Sequence, residues 1–258
     1  MSPNPQEHEV ALLIAADDAP QVAAAIARAT HLAGYNLVSA EDEQLHDVMF
    51  DTAEHALRAQ GFAFRTRTRN GSRLITLKGA PRADEHGGVS RLEIELPWSA
   101  DSLRRVAAEL ARAHIKLSLP DALGDARPAD TLRAAGLLPI QDRRTRRQVR
   151  EIWEPRLNAR MAELAVDQVA YQFEAGVVQL VEVEIEAKHA DADAVLHACM
   201  LALQADFGAM LRAWPYGKLA TGALIERLLQ SGELAPLLLD GERIGAQASL
   251  LLEDRLRK

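Results

Sequence analysis

A single cysteine in 258 residues rules out any disulfide within the chain. Cys199 lies among apolar neighbours at helical spacing in AVLHACMLAL, so it reads as a packing residue in a reducing compartment rather than a nucleophile. Aromatics make up 4% of the chain, and Trp98, Trp153 and Trp214 stand singly, which leaves no interleaved platform for stacking bases. No run approaches the roughly 18 apolar residues of a membrane span. The opening MSPNPQEHEV has no basic stretch followed by an apolar one. No membrane partner is therefore expected, and the expected location is cytoplasmic. Basic residues number 30 against 37 acidic ones, a net charge of −7, which argues against a nucleic-acid partner. There is no Gly-x-x-x-x-Gly-Lys-Ser/Thr loop, and the eight histidines do not cluster at metal spacing.

What remains is a chain with 48% apolar residues, long enough to bury a substantial core. Strand patterns cover about 9–16, 35–40, 46–51, 61–69, 72–79, 89–97, 140–153, 161–173 and 177–188. Helices are expected after Asp17, with Pro20 in the first turn and Gly34 as a stop, from SADSLRRVAAELARAHI, and at about 191–206 and 217–231. The order reads as one domain over 1–258, made of two similar halves of about 1–125 and 135–258. APRADEHGG at 80–88 reads as a charged loop, and the tail from 232 packs as an outer helix or supports a homodimer.

Between 62 and 79 the sequence runs FAFRTRTRNGSRLITLKG. Side chains alternate along a strand, so Arg65, Arg67 and Arg69 share a face, Asn70-Gly71 turns the chain, and Lys78 returns on the partner strand. The same spacing recurs in Arg91, Glu93, Glu95, in Arg144, Arg146, and in Glu182, Glu184, Glu186, Lys188. A charged face on any one strand fits a sheet with one side in water. Together the strands also fit a closed sheet with helices on its apolar outside and charges turned inward. Such an interior suits a polyanion held with divalent metal, because arginine grips phosphate oxygens bidentately and clustered carboxylates need a cation.

These segments, in this order, resemble the CYTH family, or triphosphate tunnel metalloenzymes. VMFDTAEHALRAQGFAFRTRTRNGSRLITLKG is similar to the family's central signature: aromatic-Asp-Thr, a short helix, an Arg-x-Arg strand and Leu-Thr-x-Lys-Gly. SRLEIELPW resembles its Arg-x-Glu-x-Glu strand, DRRTRRQV its second arginine strand, AELAVDQV its Glu-Leu-Ala-x-Asp strand and LVEVEIEAK its late acidic strand. WPYGKLATG resembles the closing Ser-Lys motif, with Gly217 in place of Ser. The resemblance runs from about residue 9 to 222. It implies an α+β fold, an eight-stranded antiparallel β tunnel with helices outside and two pseudo-repeated halves. It implies hydrolysis of a triphosphate-containing small molecule with Mg²⁺ or Mn²⁺. By position, Arg65, Arg67, Lys78, Arg144, Arg146 and Lys218 correspond to phosphate-binding cations, with Arg69 nearer the rim. Glu9, Glu93, Glu95, Asp167, Glu182 and Glu184 correspond to metal ligands or acidic supports, and Glu182, Glu184 and Lys78 to catalytic groups.

The family's first strand reads Glu-x-Glu-x-Lys, where this chain has Glu9, Ala11 and Leu13. A shift by two gives Glu7, Glu9 and Ala11, which restores both carboxylates and still lacks the lysine. Asp142 stands where relatives carry another arginine. Two expectations follow: a metal-dependent triphosphatase with an altered first strand, acting on inorganic triphosphate because aromatics are scarce, or a weakly active or inactive phosphate-binding or scaffold protein of the same fold.

Overall fold

The computed structural model describes residues 6–83, 89–119 and 127–257. Positions 84–88 of the expected charged loop, and 120–126 of the break between the halves, lie outside the described residues. Eight strands form the framework: β1 (Gln6–Ile14), β2 (Glu43–Asp51), β3 (Ala63–Arg69), β4 (Ser72–Lys78), β5 (Val89–Pro97), β6 (Leu138–Glu154), β7 (Ala159–Phe173) and β8 (Gly176–Ala187). They run in the order β1-β5-β4-β3-β2-β6-β7-β8, every neighbouring pair antiparallel. β8 then pairs with β1, Glu9 opposite Glu186 and Leu13 opposite Glu182, and the sheet closes on itself. Closure leaves no edge in the ring to satisfy or protect. Five of the strands come from before residue 98 and three from after 137.

Local chemistry explains the elements. Asn70 and Gly71 both have positive φ, 46° and 85°, the geometry that a two-residue hairpin requires. Gln44 N–H donates to Asn70 Oδ1 at 2.8 Å, tying the turn to β2. The helices are α1 (Ala19–Arg28), α2 (Ala56–Ala59), α3 (Ala100–Arg112), α4 (Pro128–Ala134), α5 (Asp193–Phe207), α6 (Lys218–Gln230) and α7 (Ala246–Leu256). Ser99 caps α3 by accepting from Ser102 N–H at 3.1 Å. Asp17, expected to start α1, accepts instead from Ala246 N–H at 2.9 Å, serving the start of α7, where Gly245 offers no side chain. The expected tail helix is α7.

Two apolar clusters lie outside the barrel. Val10, Leu12 and Ile14 of β1 pack under α1 and α5, with Cys199 fully buried among them and its thiol pushed up to about 12 by burial. Phe64, Ile75, Leu77 and Ile94 pack under α3 and α4. The third cluster is different: inward-facing Leu13, Tyr171 and Leu180 meet Leu224, Ile225 and Leu228 of α6 and Ala248 and Leu252 of α7. Helix α6 is thus seated on the inner faces of β6 to β8 rather than on the outside. Its Gly222 permits this approach, because a Cβ there would lie 2.2 Å from Gln141 Nε2 and 2.5 Å from Tyr171 Cε1. No helix among the described residues is long and apolar enough to cross a membrane.

Candidate functional site

The barrel holds a cavity of about 880 Å³ whose lining is dominated by ionisable side chains. On β3, Arg65 and Arg67 turn inward and are buried, while Arg69 at the strand's end is 39% exposed at the rim. They gather around Asp47 of β2, which is 1% exposed. Arg67 Nε donates to Asp47 Oδ1 at 2.7 Å and Arg67 Nη2 to Oδ2 at 2.9 Å. Arg143 Nη2 and Arg65 Nη1 donate to Oδ2 at 3.1 and 3.4 Å. Burial opposes ionisation of Asp47, but the guanidiniums of Arg65 and Arg67 override it and hold the carboxyl well below the usual range. Burial likewise works against Glu95, and Arg65, Arg67 and Arg69 lower it in turn. Thr76 Oγ1 donates to Glu95 at 3.1 Å, and Lys78 Nζ lies 3.2 Å from Glu93.

The opposite wall is built from β7, β8 and the start of α6. Asp167 and Glu182 face each other across the strand pair, a like-charge juxtaposition that costs stability unless a cation intervenes. Two intervene. Arg147 donates to both Asp167 oxygens at 2.7 Å and to Glu184 at 2.6 Å. Lys218 Nζ lies 2.7 Å from Glu182 and 3.2 Å from Asp167, and also donates to Glu184. Burial disfavours the Lys218 ammonium, yet Glu182, Glu184 and Asp167 raise it above the ordinary lysine range. Glu184 is held well below its usual value: burial raises it, while Lys218 and Arg147 lower it. Glu182, which burial pushes up, keeps one oxygen without a hydrogen-bond partner.

Backbone pairing delivers Lys218 to this place. The short strand Leu211–Ala213 pairs with β1, and Trp214 N–H donates to the Ala11 carbonyl at 2.8 Å. Tyr171 O–H donates to the Lys218 carbonyl at 3.0 Å, and Gln141 Nε2 to the Leu219 carbonyl at 3.2 Å. The N-terminus of α6 therefore opens at the cavity wall, its first N–H groups and dipole adding positive potential.

The cavity lining includes the expected Arg65, Arg67, Lys78, Lys218, Glu9, Glu93, Glu95 and Glu184. Arg144 and Arg146 are a correction: both are exposed on the outer face of β6, beside a groove of about 600 Å³. Arg143 and Arg147, of the other parity, face inward. Four arginines in DRRTRRQV offer either parity to a sequence reading. The cross-strand partners decide, Asp47 standing opposite Arg143 and Asp167 opposite Arg147. The available signal was an aspartate, Asp47, between Leu45 and Met49 on one face of the strand, since a buried carboxylate needs a cation. Asp142 points outward as well, 3.0 Å from His46 Nε2. Glu182 and Asp167, 1% and 0% exposed, lie beneath Lys218 and Arg147 rather than on the cavity wall.

A barrel of this topology whose charged faces converge inward agrees with the family model of the CYTH domain, which matches residues 7–206. The chain belongs to the CYTH-domain family. Among solved structures, HpAC1 from Hippeastrum, described as an adenylyl cyclase candidate that reveals a dominant triphosphatase activity, aligns with a TM-score of 0.50 and 19% identity, over 90% of this chain and 98% of its own. PH1819 from Pyrococcus horikoshii OT3 aligns at 0.45 with 17% identity over 86% and 99% of the two chains. The Mimivirus capping enzyme triphosphatase aligns at 0.42 with 12% identity over 78% and 88%. At these identities the likeness to HpAC1 shows the fold. No curated protein matches the chain.

CYTH tunnel enzymes generally depend on a divalent metal, which makes the donor set of this CYTH tunnel informative. The six expected ligands are split between the walls. Glu93 and Glu95 lie with Lys78 and the β3 arginines, and Asp167, Glu182 and Glu184 with Arg147 and Lys218. Glu9 accepts from Arg91 Nη2 at 2.6 Å. Across the β1–β8 seam, Ala11 stands opposite Glu184 and Leu13 opposite Glu182, so that wall supplies no oxygen where the acids are densest. Among the described residues no three His, Cys, Asp or Glu side chains form a metal cradle. The side chains present do not fit a divalent ion held by the protein alone.

Proposed function

We propose that the CYTH tunnel binds the triphosphate group of a small molecule, inorganic triphosphate by preference, and hydrolyses one of its phosphoanhydride bonds. The observation that carries this reading is the convergence of Arg65, Arg67, Lys78, Arg143, Arg147 and Lys218, from four different elements, on one cavity. Each guanidinium presents a planar fork that matches two phosphate oxygens, and the lysines add point charges. In hydrolysis the water oxygen bonds to the terminal phosphorus, the bridging P–O bond breaks, and the charge that grows on the bridging oxygen is stabilised by the fixed cations. Glu184, kept ionised by Lys218 and Arg147, is a carboxylate on the cavity wall able to orient that water, whose proton passes to a non-bridging oxygen of the phosphoryl group it attacks. The few aromatic rings at the cavity favour the inorganic anion: Trp214 is buried, donates Nε1–H to Thr221 at 3.1 Å and packs edge-on against Tyr216.

A second reading, a phosphate receptor with little turnover, is favoured by Ala11 and Leu13 in the first strand. Phosphate release from inorganic triphosphate with Mg²⁺ or Mn²⁺, run beside calorimetric binding and an Arg67→Ala variant, separates the two. Turnover that disappears in the variant supports the hydrolase. Binding without turnover selects the receptor, and absence of both overturns the assignment.

A further inference from the structure

The carboxylates of the β7–β8 wall already have their counter-charge in the chain. Asp167, Glu182 and Glu184 share Lys218 and Arg147 in a buried cluster, and every acid in it touches at least one of these cations within 3.2 Å. A divalent ion entering beside Glu184 would have to displace an ammonium or stand next to it, at a repulsion that the low-dielectric interior magnifies. It would also find no oxygen donor at Ala11 and Leu13, the β1 positions opposite Glu184 and Glu182.

We infer that Lys218, delivered by α6, takes over in this tunnel the charge-neutralising role of a protein-held divalent ion, so that polyphosphate is bound by the chain's own cations without metal. This rests on the tunnel being the phosphate site. The β3 arginines and Lys78 meet the anion from one side. Lys218 and Arg147 keep the opposite wall from repelling it, so metal arriving with the ligand is a passenger rather than a condition of binding.

The test is calorimetric titration of the whole protein with inorganic triphosphate, once in EDTA and once with excess Mg²⁺. Dissociation constants within about threefold of each other are expected, together with no saturable binding of Mn²⁺ alone below about 1 mM, the weak end of protein sites for hard divalent ions. In Lys218→Met, the uncompensated acids should weaken triphosphate binding in EDTA by at least about tenfold, and Mg²⁺ or Mn²⁺ should restore part of the loss. The wild-type comparison stands even if that variant fails to fold. Triphosphate binding that requires metal, or tight Mn²⁺ binding by the free protein, overturns the inference and leaves the proposed function intact. No triphosphate binding under either condition removes the proposed function and the inference with it.

Discussion

Asp47 bears a disproportionate share of the order in the tunnel. One carboxylate, buried at 1% exposure, orients guanidiniums from β3 and β6 that would otherwise repel one another. Removing one partner from a buried ion cluster leaves uncompensated charge and typically costs about 3–5 kcal/mol. Asp47→Asn, similar in size, should therefore lower the unfolding free energy read from urea denaturation by an amount in that range. The sign with pH follows from the depressed carboxyl. Its stabilisation is complete above the unfolded value of about 3.9 and is lost as pH falls through the lower folded value. The stability gap between wild type and Asp47→Asn should be constant near neutrality and close progressively below about pH 4. A gap unchanged down to pH 2 would show that Asp47 does not act through its charge.

Helix α6 joins the fold to the chemistry, since the same turn carries Lys218 into the acid cluster and seats Leu219 under Gln141. Gly222→Ala would ordinarily help a helix by about 1 kcal/mol. Here the added methyl meets Gln141 and Tyr171 well inside contact distance, so overpacking of about 1–3 kcal/mol should prevail, and thermal unfolding should occur earlier. Withdrawal of α6 would also lift Lys218, so weaker triphosphate binding should accompany the lower melting temperature; a variant as stable and as tight as wild type would contradict the seating. The strands and most helices were legible because they rest on local signals: Asn70-Gly71, Ser99 and the alternation in Glu182 to Lys188. The seat of α6 and the parity of β6 were not. Both depend on partners far away in the chain, Tyr171 for the helix and Asp47 and Asp167 for the arginines, and period alone treats Arg143 and Arg144 alike.

Closing eight strands into a ring places the proposed anion between walls that are distant in sequence, so a ligand touching β3, β4, β6 and α6 together should stabilise the whole barrel. A ligand present at a hundred times its dissociation constant adds about 2.7 kcal/mol. For a chain of this size, each kcal/mol raises the melting temperature by about 2–4 °C, so inorganic triphosphate should raise it by about 5–10 °C. Attraction to any local cluster of arginines would produce a shift of the same sign despite the net charge of −7, and β6 offers the control. Arg143→Ala and Arg144→Ala change the charge equally, one inside the barrel and one on its outer face, two neighbouring residues on one strand. If the anion is held in the tunnel, the thermal shift should shrink to near zero in the first and survive in the second, in 0.15 M salt where charges farther apart than about 8 Å are screened. A loss confined to Arg144→Ala would place the anion on the outer arginine face instead, and the inward parity of Arg143 and Arg147 would then be a device for holding the barrel together rather than for binding phosphate.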